Sequence, residues 1–163
     1  MRSLIIPDIH HHTENADYWL SSQRYDRVIF LGDYFDNFGD NVSDARLTAS
    51  WLRQRMDSTD DIMLLGNHDA AYLFPNLDAM YCPGFTKAKA RAIHEILTPK
   101  HWQRFTLAHV EHGWLLSHPG SHPNWPKTTT LKRNNPGGKG ASSKAAGGCA
   151  AAVHEAERDG GAG

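Results

Sequence analysis

The sequence predicts an α/β fold, and three observations predict it. Apolar runs that read as buried strands, Leu4-Ile5-Ile6, Val28-Ile29-Phe30-Leu31 and Ile62-Met63-Leu64-Leu65, are spaced along the first part of the chain. Segments with helical periodicity fill the intervals between them. Each run is followed at once by polar residues of ligand type: Pro7-Asp8-Ile9-His10, Gly32-Asp33-Tyr34-Phe35-Asp36 and Gly66-Asn67-His68-Asp69. Strands alternating with helices build parallel sheets, and ligands bind in the crevice outside the carboxyl ends of such strands.

The elements follow in chain order. Thr13 caps a short helix with Ala16, Trp19 and Leu20 on one face, before Tyr25-Asp26 leads into the second strand. Ser43 opens a longer helix whose Ala45, Ala49, Leu52 and Met56 recur at helical spacing, while Arg46, Arg53 and Gln54 lie elsewhere around it. Asp57 to Asp61 turns the chain into the third strand. Helix continues from Ala70 to Phe74, and Pro75, Asn76, Pro83 and Gly84 then mark a loop close to the third polar cluster. Thr86 caps a helix with Ala88, Ala92, Ile93, Ile96 and Leu97 inward; Thr98-Pro99 supplies a cap and a first-turn proline before Trp102 and Phe105. Leu107 to Val110 and Trp114 to Ser117 read as a hairpin around His112-Gly113, and its second strand delivers His118. Trp19, Trp51, Trp102 and Trp114 fall on apolar stripes and read as core.

Three strand ends side by side bring Asp8, Asp33, His10, His68 and Asn67 together, which makes a metal site. Asp8, Asp33, Asp36 and Asp69 crowded in one crevice repel one another unless cations lie between them or their pKa values rise. Mixed carboxylate, imidazole and amide ligation suits Mn, Fe or Zn better than Ca. Two metals are the natural expectation. Taken singly, Asp33, Asp36 and Asp69 read more readily as turn or N-cap residues; it is their joint order after strands that points to a site.

Length and composition bound the rest. With 163 residues, 40% of them hydrophobic, the chain suits one domain, expected over residues 1–125. A net charge of −1 argues neither for a nucleic-acid partner nor for an anionic membrane. Cys82 and Cys149 make no disulfide framework, and no apolar run has the length of a signal-peptide core or a membrane span, so a cytoplasmic protein is expected. Residues 134–163 hold eight Gly and eight Ala and only Val153 as a large aliphatic. Such a segment buries too little to offset its ordering entropy, so residues 126–163 are expected to form a disordered tail, with at most a frayed helix over 150–158.

The order DxH, GDxxD, GNHD, then an apolar run ending in Ser117-His118-Pro119-Gly120, resembles the calcineurin-like metallophosphoesterase superfamily and most closely its phosphoprotein phosphatase branch. The resemblance implies a calcineurin-like α/β sandwich, central sheets flanked by helices, that stops short on its C-terminal side. It implies two divalent metal ions, with Asp8 and His10 on the first, Asp33 bridging, and Asn67 and His118 on the second. It implies hydrolysis of phosphate esters by a metal-bridging hydroxide. It further implies His68 as the general acid that protonates the leaving alkoxide, with Asp36 orienting its imidazole.

Three departures qualify it. Asn37-Phe38 follows Asp36 where that branch reads Arg-Gly, and Asp69 stands where it reads Glu; Arg91 or Arg104 is the substitute for the missing phosphate-binding Arg, or the substrate is not a simple phosphoserine or phosphothreonine ester. His11 and His12 follow His10 where Gly is usual, and they either touch substrate phosphate or lie exposed. The family's later His motif has no counterpart except His122 or His154, so the second metal is expected to bind more weakly. A phosphorylated substrate is expected, a monoester ahead of a phosphodiester or dinucleoside polyphosphate. The competing reading is a catalytically impaired metal-binding remnant or interaction module.

Overall fold

The structure, a computed structural model, describes residues 1–118 and 152–155. Four parallel strands form its frame: β1 (Arg2–Ile6), β2 (Arg27–Phe30), β3 (Ile62–Leu64) and β4 (Phe105–Thr106), lying side by side in the order β4-β3-β2-β1. Pairing is in register through Ile5 with Ile29, Ile29 with Ile62, and Met63 with Phe105. β5 (Ala108–Glu111) and β6 (Trp114–Ser117) form the expected antiparallel hairpin, a separate two-stranded sheet. Helices α1 (Thr13–Ser22), α2 (Val42–Ser58), α3 (Asn67–Leu73), α4 (Lys87–His94) and α5 (Pro99–Trp102) occupy the crossovers. This is the mixed α/β architecture read from the sequence.

Alternation along the strands explains why both sheet faces are covered. Leu4, Val28, Phe30 and Met63 join Ala45, Ala49, Leu52 and Met56 of α2, with Ile93 and Leu97, in the larger core. Ile29 and Leu64 face the other way and meet Leu116 of β6. A parallel strand buried on both faces reads as an unbroken apolar run, which is why the three runs were visible in the sequence.

Helix boundaries differ in instructive ways. α2 is capped by Asn41, whose side chain accepts from the Ser43 and Asp44 backbone while Asp44 reaches back to Asn41, rather than by Ser43. α1 starts one residue after His12 with no side-chain cap, so Thr13 lies inside it. Thr86 does cap α4, and Ala92, Ile93 and Leu97 turn inward as expected, but Ala88 is exposed while Lys89 and Ala90 are buried. In the tail, Ala152–Glu155 form β7, antiparallel to β1, where the sequence suggested frayed helix at best. β7 supplies hydrogen-bond partners to what would be the open edge of β1. Residues 119–151 and 156–163, with His122 and Cys149, lie outside the described residues.

The loops after β2 and β3 are locked together by one carboxylate. Asp69, fully buried, accepts the backbone N–H groups of Asp33 (2.7 Å) and Gly66 (2.9 Å) on Oδ2 and of Tyr34 (2.9 Å) on Oδ1. Burial, followed by the charge of Asp33, holds its carboxyl above the ordinary range. Close approach of the two loops also demands glycine. Gly32 has φ +105°, and a Cβ there would stand 2.4 Å from the Gly66 nitrogen.

Asp69→Ala strips three buried N–H groups of their acceptor and should lower unfolding stability by roughly 3 kcal/mol or more. Urea unfolding followed by circular dichroism measures this; a variant as stable as the parent would show that these N–H groups find other partners.

Candidate active site

The chain reaches the crevice through unusually shaped turns. Asp8, His10, Asp33 and Asp36 have φ values of 41°, 42°, 54° and 66°, in the left-handed region that side-chain-bearing residues seldom adopt. Such backbone costs about 1–3 kcal/mol per residue and persists where surrounding contacts impose it, typically at functional sites. Those contacts are visible here. The His10 N–H donates to the Asp33 carbonyl (2.8 Å) and the His11 N–H to the Tyr34 carbonyl (3.0 Å), stitching the loop after β1 onto the loop after β2.

Asp8, Asp33 and His118 offer ligand atoms that all lie within 4.8 Å of one another. Asp33 is central. Its Oδ1 accepts the His68 backbone N–H (3.0 Å), while Oδ2 lies 3.2 Å from His118 Nε2 and 3.7 Å from His10 Nε2. Asn67 Oδ1 stands 3.1 Å from the same His118 nitrogen. The ring orientations fit a divalent cation. Nδ1 of His10 is 2.6 Å from the Asp36 carbonyl, and Nδ1 of His118 is 3.0 Å from the Leu31 carbonyl. A carbonyl fixes Nδ1 as the protonated nitrogen, so in both residues Nε2 is the one turned toward Asp33 with its lone pair available. Burial opposes charge on both partners, yet the hydrogen bond holds Asp33 below and His118 above its ordinary pKa.

His68 and Asp36 form a second unit beside the first. His68 Nδ1 lies 3.2 Å from Asp36 Oδ2, and the His68 ring meets that of His10 edge-on with centroids 5.2 Å apart. The hydrogen bond to Asp36 raises the His68 pKa against the opposing effect of burial. With Nδ1 engaged, Nε2 is left to meet a ligand. Asp8, His10, Asp36 and His68 border a cavity of about 880 Å³, whose rim includes His12, Asn37, Phe38 and Gly84.

The structure therefore brings Asp8, His10, Asp33, Asn67, His68, Asp36 and His118 to one place, and it redirects other residues. His11 turns inward, its Nδ1 2.8 Å from the Thr48 hydroxyl and its Nε2 3.0 Å from the Asp36 nitrogen and 2.8 Å from Asp40 Oδ2, so it supports the Asp36 turn and does not line the cavity. His12 stays at the cavity rim, 3.0 Å from the Asn37 side chain. Neither arginine proposed to grip phosphate lines the cavity: Arg104 is spent on the carbonyls of Met56, Thr59 and Asp61, and Arg91 is exposed on α4. β7 sets His154 opposite Ser3, toward the start of β1 and away from the sheet end carrying Asp8. The sequence also missed Lys89 and Tyr72, both of which contact Asp36. Lys89 had one signal, its i, i+4 spacing to buried Ile93.

A family model described as calcineurin-like phosphoesterase matches residues 1–142. The chain belongs to the calcineurin-like phosphoesterases. Among solved structures, this phosphoesterase chain is similar to a metallophosphoesterase from Sphaerobacter thermophilus, at 23% identity and TM-score 0.43, over 71% of this chain and 45% of that one. It is also similar to a protein provisionally assigned as a diadenosine tetraphosphatase, at 23% identity and TM-score 0.45, over 77% of this chain and 53% of that one. The chain thus spans about half the length of each. No curated protein matches it. No helix among the described residues is long and apolar enough to cross a membrane.

If these donors hold a cation, Mn at a hundredfold excess over its Kd should stabilise the fold by about 2.7 kcal/mol. Thermal unfolding with and without Mn measures it, and Asp33→Asn should lose most of the gain. Calorimetric titration should resolve one tight and one weaker site; two equally tight sites would contradict the ligand set.

Proposed function

We propose that this phosphoesterase hydrolyses phosphate esters with the help of divalent metals held by Asp8, His10, Asp33, Asn67 and His118. One observation carries the reading: carboxylates, imidazoles and an amide from four separate segments converge around Asp33 Oδ2, with both metal-facing imidazoles locked in the tautomer that a cation requires. Metals bound there supply an acidified water and neutralise the phosphoryl oxygens.

The remaining work falls to the chain's own groups. Asp33 keeps Oδ2 turned to the imidazoles because its Oδ1 is occupied by the His68 N–H. His68, charged with the help of Asp36, donates a proton from Nε2 to the departing oxygen, which without it is a poor leaving group. The cavity beside His68 receives the organic part of the ester. A monoester is preferred, since the GDYFD and SHPG sequences lie nearest the phosphoprotein phosphatase branch; a phosphodiester or dinucleoside polyphosphate is the next choice within the class.

A second reading has its own observation. Beside Asp33, the described residues give the second cation only Asn67 and His118, which suits a metal-binding remnant of low activity.

Turnover of p-nitrophenyl phosphate and its bis ester with Mn separates the two readings. Activity abolished by Asp33→Asn supports the enzyme, and metal uptake without turnover supports the remnant. His68→Ala should lower turnover of an ester with a poor leaving group by about 10²–10⁴ while leaving metal content unchanged. Wild-type turnover of that ester by the variant would end the general-acid assignment.

A further inference from the structure

We infer that Lys89 and Tyr72 are positioning residues, which clamp one oxygen of Asp36 so that its other oxygen is presented to His68. The inference rests on the general-acid role proposed above for His68 and deepens it.

The two oxygens of Asp36 are divided between two sets of partners. Oδ1 receives the Tyr72 hydroxyl and the Lys89 ammonium, the latter at 3.2 Å, whereas Oδ2 faces His68 Nδ1 at 3.2 Å. A carboxylate held on one oxygen from behind cannot rotate about its axis without breaking those bonds, so the direction offered to the imidazole is fixed. Tyr72 is a dependable donor because burial, and then Asp36 itself, push its phenol well above the ordinary range.

Lys89 is a costly residue in this position. Its side chain is 4% exposed, and a buried ammonium is tolerated only where it is paired and hydrogen-bonded throughout. Its three N–H bonds meet Asp36, Asp40 at 2.5 Å and the Gly84 carbonyl at 2.8 Å. The loop leading to α4 is shaped for this contact. Gly84 has φ +99°, and a Cβ there would stand 2.8 Å from the Asp36 Cβ, so the backbone closes directly on the carboxylate. Neither residue touches the cavity, which makes their effect on the reaction indirect.

A merely structural role would affect every substrate alike, whereas a positioning role should show only where a proton is needed. The variants are Tyr72→Phe, Lys89→Met, and Lys89→Met combined with Asp40→Asn, which avoids stranding a buried charge should the single change fail to fold. With Mn, kcat should fall by about tenfold or more on phenyl phosphate and by less than about threefold on p-nitrophenyl phosphate, at unchanged KM. A second readout needs no turnover. In the metal-free protein at alkaline pH, nitrogen NMR of His68 should show the proton on Nδ1 in the parent and a mixture of tautomers in the variants. Equal effects on both esters, or a single Nδ1–H tautomer retained in every variant, would overturn the inference. A parent protein that hydrolyses neither ester would sink the activity proposed above, and the NMR measurement would still decide the role of Lys89 and Tyr72.

Discussion

The Asp69 carboxylate is the interaction on which the rest of the site depends. By accepting N–H groups from both the β2 and β3 loops, it replaces the sheet hydrogen bonds that end where the strands end. The two loops then continue side by side for several residues, with Gly32 and Gly66 in contact. Asp33 and Asn67 are thereby delivered together. This explains why a carboxylate next to His68 in sequence stands apart from the candidate metal ligands: both its oxygens are taken by backbone donors, which are stronger partners when buried than when exposed.

The strained turns give the second half of that logic. Asp8, His10, Asp33 and Asp36 occupy left-handed backbone that free chains avoid, and the contacts imposing it come from other loops, not from local sequence. His11 shows how this is done. Its ring lies under the Asp36 turn with Nε2 3.0 Å from that residue's nitrogen, so the backbone bends around an imidazole that is anchored to Thr48 of α2. Strain at the site is therefore sustained by the helix layer behind it.

Legibility in the sequence followed from the same physics. The strands, and the residues at their carboxyl ends, were readable because buried parallel strands are continuous apolar runs and because ligand-type residues follow three of them in one joint order. His118 was readable as the end of a hairpin strand. What escaped were partners chosen by tertiary packing alone: Lys89, which breaks the apolar face of α4; Tyr72, indistinguishable from a core aromatic; and the backbone donors gathered by Asp69, which the sequence shows only as one more carboxylate of the crevice. Arg104 failed as a phosphate ligand. The resemblance offers it only to replace the phosphate-binding Arg missing after Asp36, and it caps the carbonyls between α2 and β3, where helix and turn leave acceptors without partners.

The division of charge explains where a cation belongs. Two groups of acidic and imidazole side chains lie close enough to hold one: Asp8 with Asp33 and His118, and Asp36 with Asp40 and His11. In the second group a cation is already present, because the Lys89 ammonium bonds both carboxylates and reaches a carbonyl as well. In the first group His10 and His118 approach Asp33 Oδ2, and imidazoles relieve its charge only by taking up protons. A divalent ion does the same work without requiring protonation of the ligands, and it leaves them neutral or anionic as coordination needs. The internal ammonium thus gives the Asp36 side its own counter-charge, which suits the orienting role proposed for Asp36, while Asp33, met by two imidazoles, is the carboxylate that suits the proposed metal.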